Sequence, residues 1–247
     1  MCGYTDMTAD VRKRIDEDAQ LLSHQDPRQR VEGIRRVTAL ARQLPLADRD
    51  AAIPILERVV EDREAFVRWN LAFALGEIGH EHALHVLERL SEDEHANVRF
   101  RAALALALIG HGRALPTLQQ LAADTYKIGE HSVVRAFAAL ALGRFRQEVA
   151  VSALARLVED ADPVVRWHAA VALGDIGLPS GVVLLAKLVD DPIPFVRAHV
   201  AIALAQIGDR SSVPILERLA QDRMPRVAQI SRASLELLRT TVGGEGV

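Results

Sequence analysis

Three histidines lie close together in the sequence, at a spacing that could hold a metal ion. His80, His82 and His85 fall within one short segment, and the last two are three residues apart, on one face of a helix. Imidazole nitrogens are common zinc ligands, so the cluster is a candidate metal site. No carboxylate–histidine pattern recurs around it, however, and histidines in turns are usually solvent-exposed. We therefore predict no bound metal.

The usual sequence signatures of catalysis are missing. The chain has no G-x-S-x-G elbow, no P-loop and no Rossmann fingerprint, so we predict no catalytic residues. Its single cysteine, Cys2, excludes a disulfide framework, and no apolar run is long enough for a membrane span; we expect a cytoplasmic protein. With 30 Lys and Arg against 33 Asp and Glu, the net charge of -3 predicts neither nucleic acid nor a membrane as partner.

A Val-Arg pair recurs along the chain, with its arginine at Arg68, Arg99, Arg135, Arg166 and Arg197. The spacings between these arginines are 31, 36, 31 and 31 residues. Four of them follow an aspartate by six residues, at Asp62, Asp93, Asp160 and Asp191, and Asp222 continues the series. One arginine and one aspartate in each repeat predict a ladder of salt bridges and caps between repeats, which is a structural role.

Each repeat predicts two helices. Helix A begins near the Val-Arg pair, continues through an alanine-rich segment such as 169–177, and ends at glycine, which favours the left-handed position after a helix. Helix B follows with an apolar pattern, and Pro54, Pro116 and Pro214 fall in its first turn. Extra residues interrupt the period in segment 124–132.

Helix pairs that cannot bury their apolar faces alone must stack on their neighbours. The repeat therefore predicts an all-α fold, an α-solenoid of about six helix pairs. We predict a helical cap over residues 1–23 and a repeat array over 24–222. A second capping helix with a frayed tail is predicted over 223–247.

The pattern D-x-D-P-x-V-R-x-x-A-A-x-A-L-G-x-I-G resembles the HEAT-like repeats named after phycobilisome (bilin) lyases. It is clearest in DADPVVRWHAAVALGDIG (160–177) and DDPIPFVRAHVAIALAQIG (190–208), and it covers roughly residues 24 to 239. The resemblance implies a right-handed solenoid of HEAT-like pairs with terminal capping helices. It leaves the function open, because the family includes bilin lyase subunits, phycobilisome-degradation factors, deoxyhypusine hydroxylase and many adaptors.

The resemblance to deoxyhypusine hydroxylase can be tested on the residues themselves. The di-iron site of that enzyme uses His-Glu pairs that follow the arginine in several repeats. The corresponding pairs here are Trp69-Asn70, Phe100-Arg101, Ala136-Phe137, Trp167-His168 and Ala198-His199. None of them is His-Glu, so we do not expect this oxygenase chemistry.

Helix A has two different faces at 100° per residue. In the 67–78 example, Val67, Leu71 and Leu75 fall on one arc, which predicts the stripe that faces the core. The opposite arc, which we call the aromatic arc, would be polar if it only faced water. Instead it carries seven of the ten aromatic residues of the chain: Phe66, Trp69, Phe73, Phe100, Phe137, Trp167 and Phe195.

The aromatic arc is the predicted binding site, because an exposed apolar surface rimmed by charge commonly marks one. We predict that helix A lines the concave side of the solenoid, with Tyr126 and Lys127 in a loop over one end. For Phe66 and Phe195, packing on the neighbouring repeat is an equal alternative. The predicted binding residues are Trp69, Asn70, Phe73, Glu77, Phe100, Arg101, Leu104, Phe137, Leu140, Arg144, Trp167, His168, Asp175 and His199.

Two functions fit these residues. The first is a non-catalytic scaffold or adaptor that grips another protein, for example a phycobiliprotein or a second HEAT-like subunit, and needs no cofactor. The second, suggested by the resemblance, is a phycobilin lyase or bilin-handling protein. An open-chain tetrapyrrole requires apolar walls, cations for its propionates and an acid for its pyrrole nitrogens. The candidates are Trp69, Phe100, Phe137 and Trp167 as walls, Arg101, Arg144, His168 and His199 as cations, and Asp175 as the acid.

Overall fold

A computed structural model describes residues 2–123 and 133–243, and within these residues all regular structure is helical. The predicted loop with Tyr126 and Lys127 and the end of the predicted tail lie outside the described residues. The α-helices are α1 (Cys2–Asp18), α2 (Pro27–Ala41), α3 (Ile53–Leu56), α4 (Ala65–Ile78), α5 (Leu84–Ser91), α6 (Ala96–Ile109), α7 (Leu115–Ala122), α8 (Val133–Leu142), α9 (Glu148–Leu154), α10 (Pro163–Ile176), α11 (Ser180–Ala186), α12 (Pro194–Ile207), α13 (Val213–Leu219) and α14 (Pro225–Gly243).

The helices alternate as the repeat predicts. Helix A of successive repeats is α2, α4, α6, α8, α10 and α12, and each is followed by a shorter helix B. Pro54 and Pro214 stand in the first turn of α3 and α13, where a missing N–H costs no hydrogen bond. In the first repeat, 3-10 turns over Leu46–Ala52 and Glu57–Val59 flank the short α3. The predicted all-α fold is confirmed.

Helix A ends where glycine allows the chain to turn. The residues after α4, α6, α10 and α12 have φ between 67° and 74°, and they are Gly79, Gly110, Gly177 and Gly208. In α4 the backbone N–H of Gly79 donates to the carbonyl of Leu75 at 3.1 Å, which closes the last turn. A side chain at this φ is strained, so the recurring glycine marks every one of these helix ends.

The ladder of arginines and aspartates is present, and it joins consecutive repeats. Arg68 donates from Nε and Nη2 to the carboxylate of Asp93 in the next repeat, at 2.5 and 2.9 Å. Its Nη1 also donates to the backbone carbonyl of Asp62, six residues earlier, at 2.5 Å. Asp93 in turn accepts the backbone N–H of His95 at 2.8 Å, which closes the turn that leads into α6. The same bridge recurs in Arg30–Asp62, Arg135–Asp160, Arg166–Asp191 and Arg197–Asp222.

The chain divides into two compact units, at residues 117 and 118. In the first unit α4 packs against α2 and α6, and in the second α10 packs against α8 and α12. The core stripe predicted for helix A is confirmed, since Val67, Leu71 and Leu75 are fully buried. Helix α1 lies in the predicted N-terminal cap, and α14 packs on α12 and α13 in the C-terminal one. None of the described helices has both the length and the apolar character needed to cross a membrane.

Candidate functional site

The aromatic arc of helix A lies at the surface of both units. Phe66 is 58 % exposed, Phe73 43 % and Phe195 52 %, values that are high for phenylalanine. Trp69, Phe100, Phe137 and Trp167 are half-buried. Phe66 and Phe195, for which packing on the neighbouring repeat was the alternative, are thus both largely accessible to solvent. Since each unit contains its own part of the arc, the two parts are described separately.

In the first unit the arc forms a compact group that we call the first aromatic cluster: Trp69, Phe73, Phe100 and Arg101. The indole of Trp69 and the ring of Phe73, one helical turn apart on α4, are stacked with an interplanar angle of 11°. The Arg101 guanidinium from α6 lies 4.1 Å from the Trp69 ring centroid, 5.2 Å from that of Phe73 and 5.6 Å from that of Phe100. The cluster therefore joins two consecutive repeats through cation–π contacts.

Arg101 is held without a counter-ion among the described residues. Its Nε is fully buried and has no hydrogen-bond partner there. Burial lowers the pKa of the guanidinium from its usual value, with no neighbouring carboxylate acting in the opposite direction. An arginine pKa is so high that the side chain keeps its charge. The first aromatic cluster thus contains a positive charge that no described acidic residue neutralises.

Beside this cluster, a cavity of about 180 Å³ opens between α2 and α4. Its apolar wall includes Ile34, Phe73 and Ala74. At the rim, Glu77 accepts a hydrogen bond from Arg42, so these two charges satisfy each other. The predicted site residue Asn70 also lines the cavity, and its Nδ2 donates to the backbone carbonyl of Phe66 at 2.8 Å.

The second unit contains a second aromatic cluster, formed by Phe137, Trp167, His168, Phe195 and His199. Trp167 is at its centre, with ring centroids 4.2 Å from His168, 4.9 Å from Phe195 and 5.5 Å from His199. Phe195 and His199 are 4.3 Å apart, and Phe137 reaches His168 at 5.6 Å. The cluster thus brings together rings from α8, α10 and α12.

The two histidines of this cluster are oriented by the backbone. The Nδ1 atoms of His168 and His199 lie 2.7 and 2.8 Å from the carbonyls of Val164 and Phe195, so each Nδ1–H donates to a carbonyl. Burial lowers the pKa of His168 below its usual value, partly opposed by the hydrogen bond to Val164. His168 is therefore neutral near pH 7, and the cluster carries no fixed cation at this position.

The remaining predicted residues of the second unit lie further along the helices. Arg144 and Asp175 are exposed and Leu140 is half-buried. Partial burial raises the pKa of Asp175, and the charge of Arg144 opposes that shift. Leu104, in the first unit, is also half-buried. All the predicted site residues consequently reach the surface, although only those in the two clusters are in mutual contact through their rings.

Models of HEAT repeats match most of the chain, in four overlapping segments: residues 53–129, 85–160, 127–194 and 154–236. The chain belongs to the HEAT-repeat family. No match to it was found among curated proteins.

Solved structures with a similar fold include the complex of CpcE and CpcF of phycocyanin lyase from Nostoc sp. PCC7120. That match has a TM-score of 0.55 and 20 % identity, and it covers 91 % of this chain and 94 % of the other. Human deoxyhypusine hydroxylase in complex with glycerol matches with a TM-score of 0.42 and 20 % identity, over 94 % and 98 % of the two chains. An engineered protein matches with a TM-score of 0.44 and 22 % identity, over 94 % and 97 %. Identities this low show likeness of fold alone.

Two alanines of this HEAT-repeat chain are buried, although the helical wheel at 100° per residue places them on the aromatic arc. Ala136 and Ala198 are 1 % and 6 % exposed. They occupy the same repeat position as Trp69 and Trp167, directly after the recurring arginine. A large indole placed there projects to the surface, whereas a methyl group remains below it. Assigning them to the exposed arc was wrong for this reason.

The histidines considered for a metal take part in local hydrogen bonds. His80 Nδ1 accepts the backbone N–H of His82 at 3.2 Å, which caps a 3-10 turn. His85 Nε2 lies 3.2 Å from a carboxylate oxygen of Glu57. Among the described residues, no three potential metal ligands of the histidine, cysteine and carboxylate types come together.

Sequence reasoning missed the contribution of α2 to the site. Val31, Arg35 and Arg42 line the cavity next to Phe73. A usable pattern was present, because Val31 and Arg35 follow Arg30 at the same spacing as Trp69 and Phe73 follow Arg68. The first repeat is seven residues longer than the period of 31, because Arg30 precedes Arg68 by 38 residues, and the helical wheel was applied only from Phe66 onward.

Proposed function

We propose that this HEAT-repeat protein is a non-catalytic scaffold that binds a segment of another protein through the aromatic arc of helix A. One observation carries the proposal: seven of the ten aromatic residues of the chain are on this arc, and Phe66, Phe73 and Phe195 are largely exposed on it. Keeping large apolar side chains in water is unfavourable, and each of them would contribute to binding once covered. Aromatic anchors of this kind dominate the energy of protein interfaces.

The exposed surface of helix B supports the same choice. Its charged side chains pair with one another from repeat to repeat, as in Arg89 with Glu57 at 2.9 Å and Lys187 with Glu159 at 2.6 Å. Arg218 and Asp190 are similarly paired and strongly exposed. Such a surface is well solvated as it stands, and covering it would remove water from charges that already have partners.

Site-specific photocrosslinking tests the scaffold. A photoreactive phenylalanine analogue is placed at Phe73 or Phe195, with exposed Gln120 on helix B as the control position, and each variant is irradiated in lysate of the source cells. We expect the same partner protein to be captured from Phe73 and Phe195 and not from Gln120. Capture that is equally strong from Gln120, or absent from both arc positions, would overturn the proposal.

A matched set of substitutions links that capture to the arc. Trp69→Ala, Phe100→Ala and Trp167→Ala, combined in one variant, should abolish capture, because each anchor contributes ~1–3 kcal/mol to binding at a hot spot. The control is a variant in which the exposed helix-B residues Arg58 and Gln120 are changed to alanine. Its capture should be unchanged, and both variants should keep the helical circular dichroism spectrum of the parent.

A bilin-handling role is the second candidate. It is supported by the second aromatic cluster, where the rings of Trp167 and Phe137 adjoin two histidines, with Arg144 and Asp175 further along the helices. Trp167 and Phe137 would serve as walls, Arg144 as a cation and Asp175 as the acid, while the neutral His168 would act as a hydrogen-bonding group rather than as the cation expected from the sequence. The fold is also similar to that of the CpcE–CpcF complex of phycocyanin lyase. If the similarity extends to function, the partner is a second HEAT-like subunit.

Phycocyanobilin itself tests this second role. Binding should shift and sharpen the visible absorption of the pigment and quench tryptophan fluorescence, and Trp167→Phe should remove most of the quenching that comes from the second unit. The measurement is repeated with Trp69→Phe as the matched control. An unchanged pigment spectrum together with unquenched fluorescence would rule against this role and leave the scaffold proposal in place.

A further inference from the structure

We infer that the partner segment presents a carboxylate to Arg101, next to an apolar side chain that enters the cavity between α2 and α4. The inference rests on the proposed scaffold function and specifies the chemistry of the partner: an acidic residue, Asp or Glu, close to Leu, Ile or Phe. It concerns the first unit alone. Three observations support it: Arg101 lacks a counter-ion among the described residues, the cavity has room for one apolar side chain, and the neighbouring arginines are already paired.

Arg101 is preorganised to receive an anion. The central carbon of its guanidinium lies over the Trp69 ring, 4.1 Å from the ring centroid, so the position of the cation is fixed by the cluster. An arginine held over an aromatic ring is well suited to bidentate binding of a carboxylate, because the side chain that carries the fork of N–H donors is positioned in advance. Aromatic faces hold the cation but accept no conventional hydrogen bond from it, and its Nε is buried without a partner among the described residues.

The other arginines near this surface already have partners. Arg42 donates to Glu77 at the rim of the cavity, Arg68 is bridged to Asp93, and Arg35 pairs with Glu32 at 2.8 Å. A carboxylate that arrives at the first aromatic cluster is therefore attracted most strongly to Arg101, whose charge is not already paired with an acidic residue described in the structure. A basic segment would meet this same charge with repulsion, so charge complementarity selects an acidic one.

The cavity between α2 and α4 provides the second contact. Its volume of about 180 Å³ is enough for one large apolar side chain, since a cavity of about 150 Å³ is known to accommodate benzene. Phe73 belongs to both features: it lines the cavity, and its ring centroid lies 5.2 Å from the Arg101 guanidinium. One side chain thus separates the apolar contact from the ionic one, so the two groups of the partner must be near neighbours.

Peptide display tests the inference with defined probes. Random dodecapeptides on phage are selected on the intact protein, and the enriched peptides are synthesised and titrated by calorimetry. We expect Asp or Glu beside Leu, Ile or Phe in these peptides. Arg101→Gln should raise the Kd about 10- to 100-fold, the usual effect of losing a charge-assisted hydrogen bond. Arg58→Gln, an exposed arginine on helix B of the same unit and outside the aromatic arc, is the matched control and should leave the Kd unchanged.

A double-mutant cycle makes the contact specific. Changing the acidic residue of the peptide to its amide should weaken binding to the parent protein as much as Arg101→Gln does, with little further loss when both changes are combined. Arg101→Lys, which keeps the charge without the planar fork, should bind with intermediate affinity and provides a second folded variant if Arg101→Gln melts early.

Three results would count against these ideas in different ways. Enriched peptides without an acidic residue, or a Kd unaffected by Arg101→Gln, would overturn the carboxylate contact while the scaffold proposal stands. Peptides that bind the Trp69, Phe100 and Trp167 triple-alanine variant as tightly as the parent would show that the aromatic arc is not the docking surface. That last result overturns the scaffold proposal together with the inference.

Discussion

Two arginines of the second unit form ion pairs of similar length in very different surroundings. Arg197 and Asp222 approach to 2.6 Å with side chains only 5 % and 8 % exposed, whereas Arg218 and Asp190 meet at 2.5 Å with 64 % and 75 % exposure. Removing one partner of a buried pair leaves an uncompensated charge in the interior. An exposed charge that loses its partner is simply hydrated.

This contrast predicts unequal effects of the same substitution. Arg197→Ala should lower the free energy of unfolding by about 3 kcal/mol or more, because Asp222 stays buried without its counter-ion. Arg218→Ala should lower it by less than about 1 kcal/mol. Urea denaturation of both variants measures the difference. Equal losses would mean that the ladder between repeats contributes no more than a surface ion pair does.

The same bridge makes stability depend on pH. Hydrogen bonds from Arg197 lower the pKa of Asp222 in the folded protein. The contribution of this carboxylate to stability is therefore complete above its unfolded pKa of about 4, and it is lost as the pH falls through its lower pKa in the folded protein. Acidification below about pH 4 should therefore destabilise the parent. In Asp222→Asn, which cannot titrate, the part of the acid-induced loss that belongs to this bridge should disappear. A parent and a variant with parallel pH profiles would contradict the assignment.

At the scale of the element, helix A must present one apolar face to the core and another to a partner. Leu75 is fully buried, whereas Leu108, one helical turn after Leu104 and on the same arc, is 62 % exposed. Leu75→Asp should lower the free energy of unfolding by about 3 kcal/mol or more, because the carboxylate is buried without a partner. Leu108→Asp should change it by less than about 0.5 kcal/mol. Thermal melting compares the two variants.

Leu104, on the same arc, offers an intermediate case, because its side chain is half-buried. Leu104→Asp should fall between Leu75→Asp and Leu108→Asp in melting temperature. If Leu108→Asp were as destabilising as Leu75→Asp, the two faces of helix A would have been assigned wrongly, and the aromatic arc would belong to the core.

At the scale of the whole molecule, each helix A packs mainly on its neighbours in the repeat series. In the first unit α4 contacts α2 and α6, and in the second α12 contacts α10 and α14. Stability in such arrays is approximately a sum of local terms, so a defect is felt most strongly near its origin. Leu75→Asp should accelerate amide hydrogen exchange in α2, α4 and α6 much more than in α12 and α14. Mass spectrometry of peptides from both units measures this, and a uniform acceleration would contradict it.

Much of this arrangement was predictable because it repeats. The spacing of the Val-Arg pairs predicted the helix pairs, the glycines predicted the ends of helix A, and the wheel at 100° per residue placed Leu75 in the core and Phe73 at the surface. Each of these inferences uses only backbone geometry and solvent exclusion, which act within one helix and leave the same mark in every repeat.

Only the tertiary structure decided which side chains meet across repeats. The sequence predicted a ladder of salt bridges between repeats, but the tertiary structure decided the pairing, in which the carboxylate of Asp93 binds Arg68 of the preceding repeat. Nor did the sequence indicate that Arg101 lies over Trp69, or that Ala136 is covered. The physical reason is that helical periodicity is set within a segment. Contacts between helices depend on their separation, their crossing angle and the rotamers of both partners, and a pattern in one segment encodes none of these.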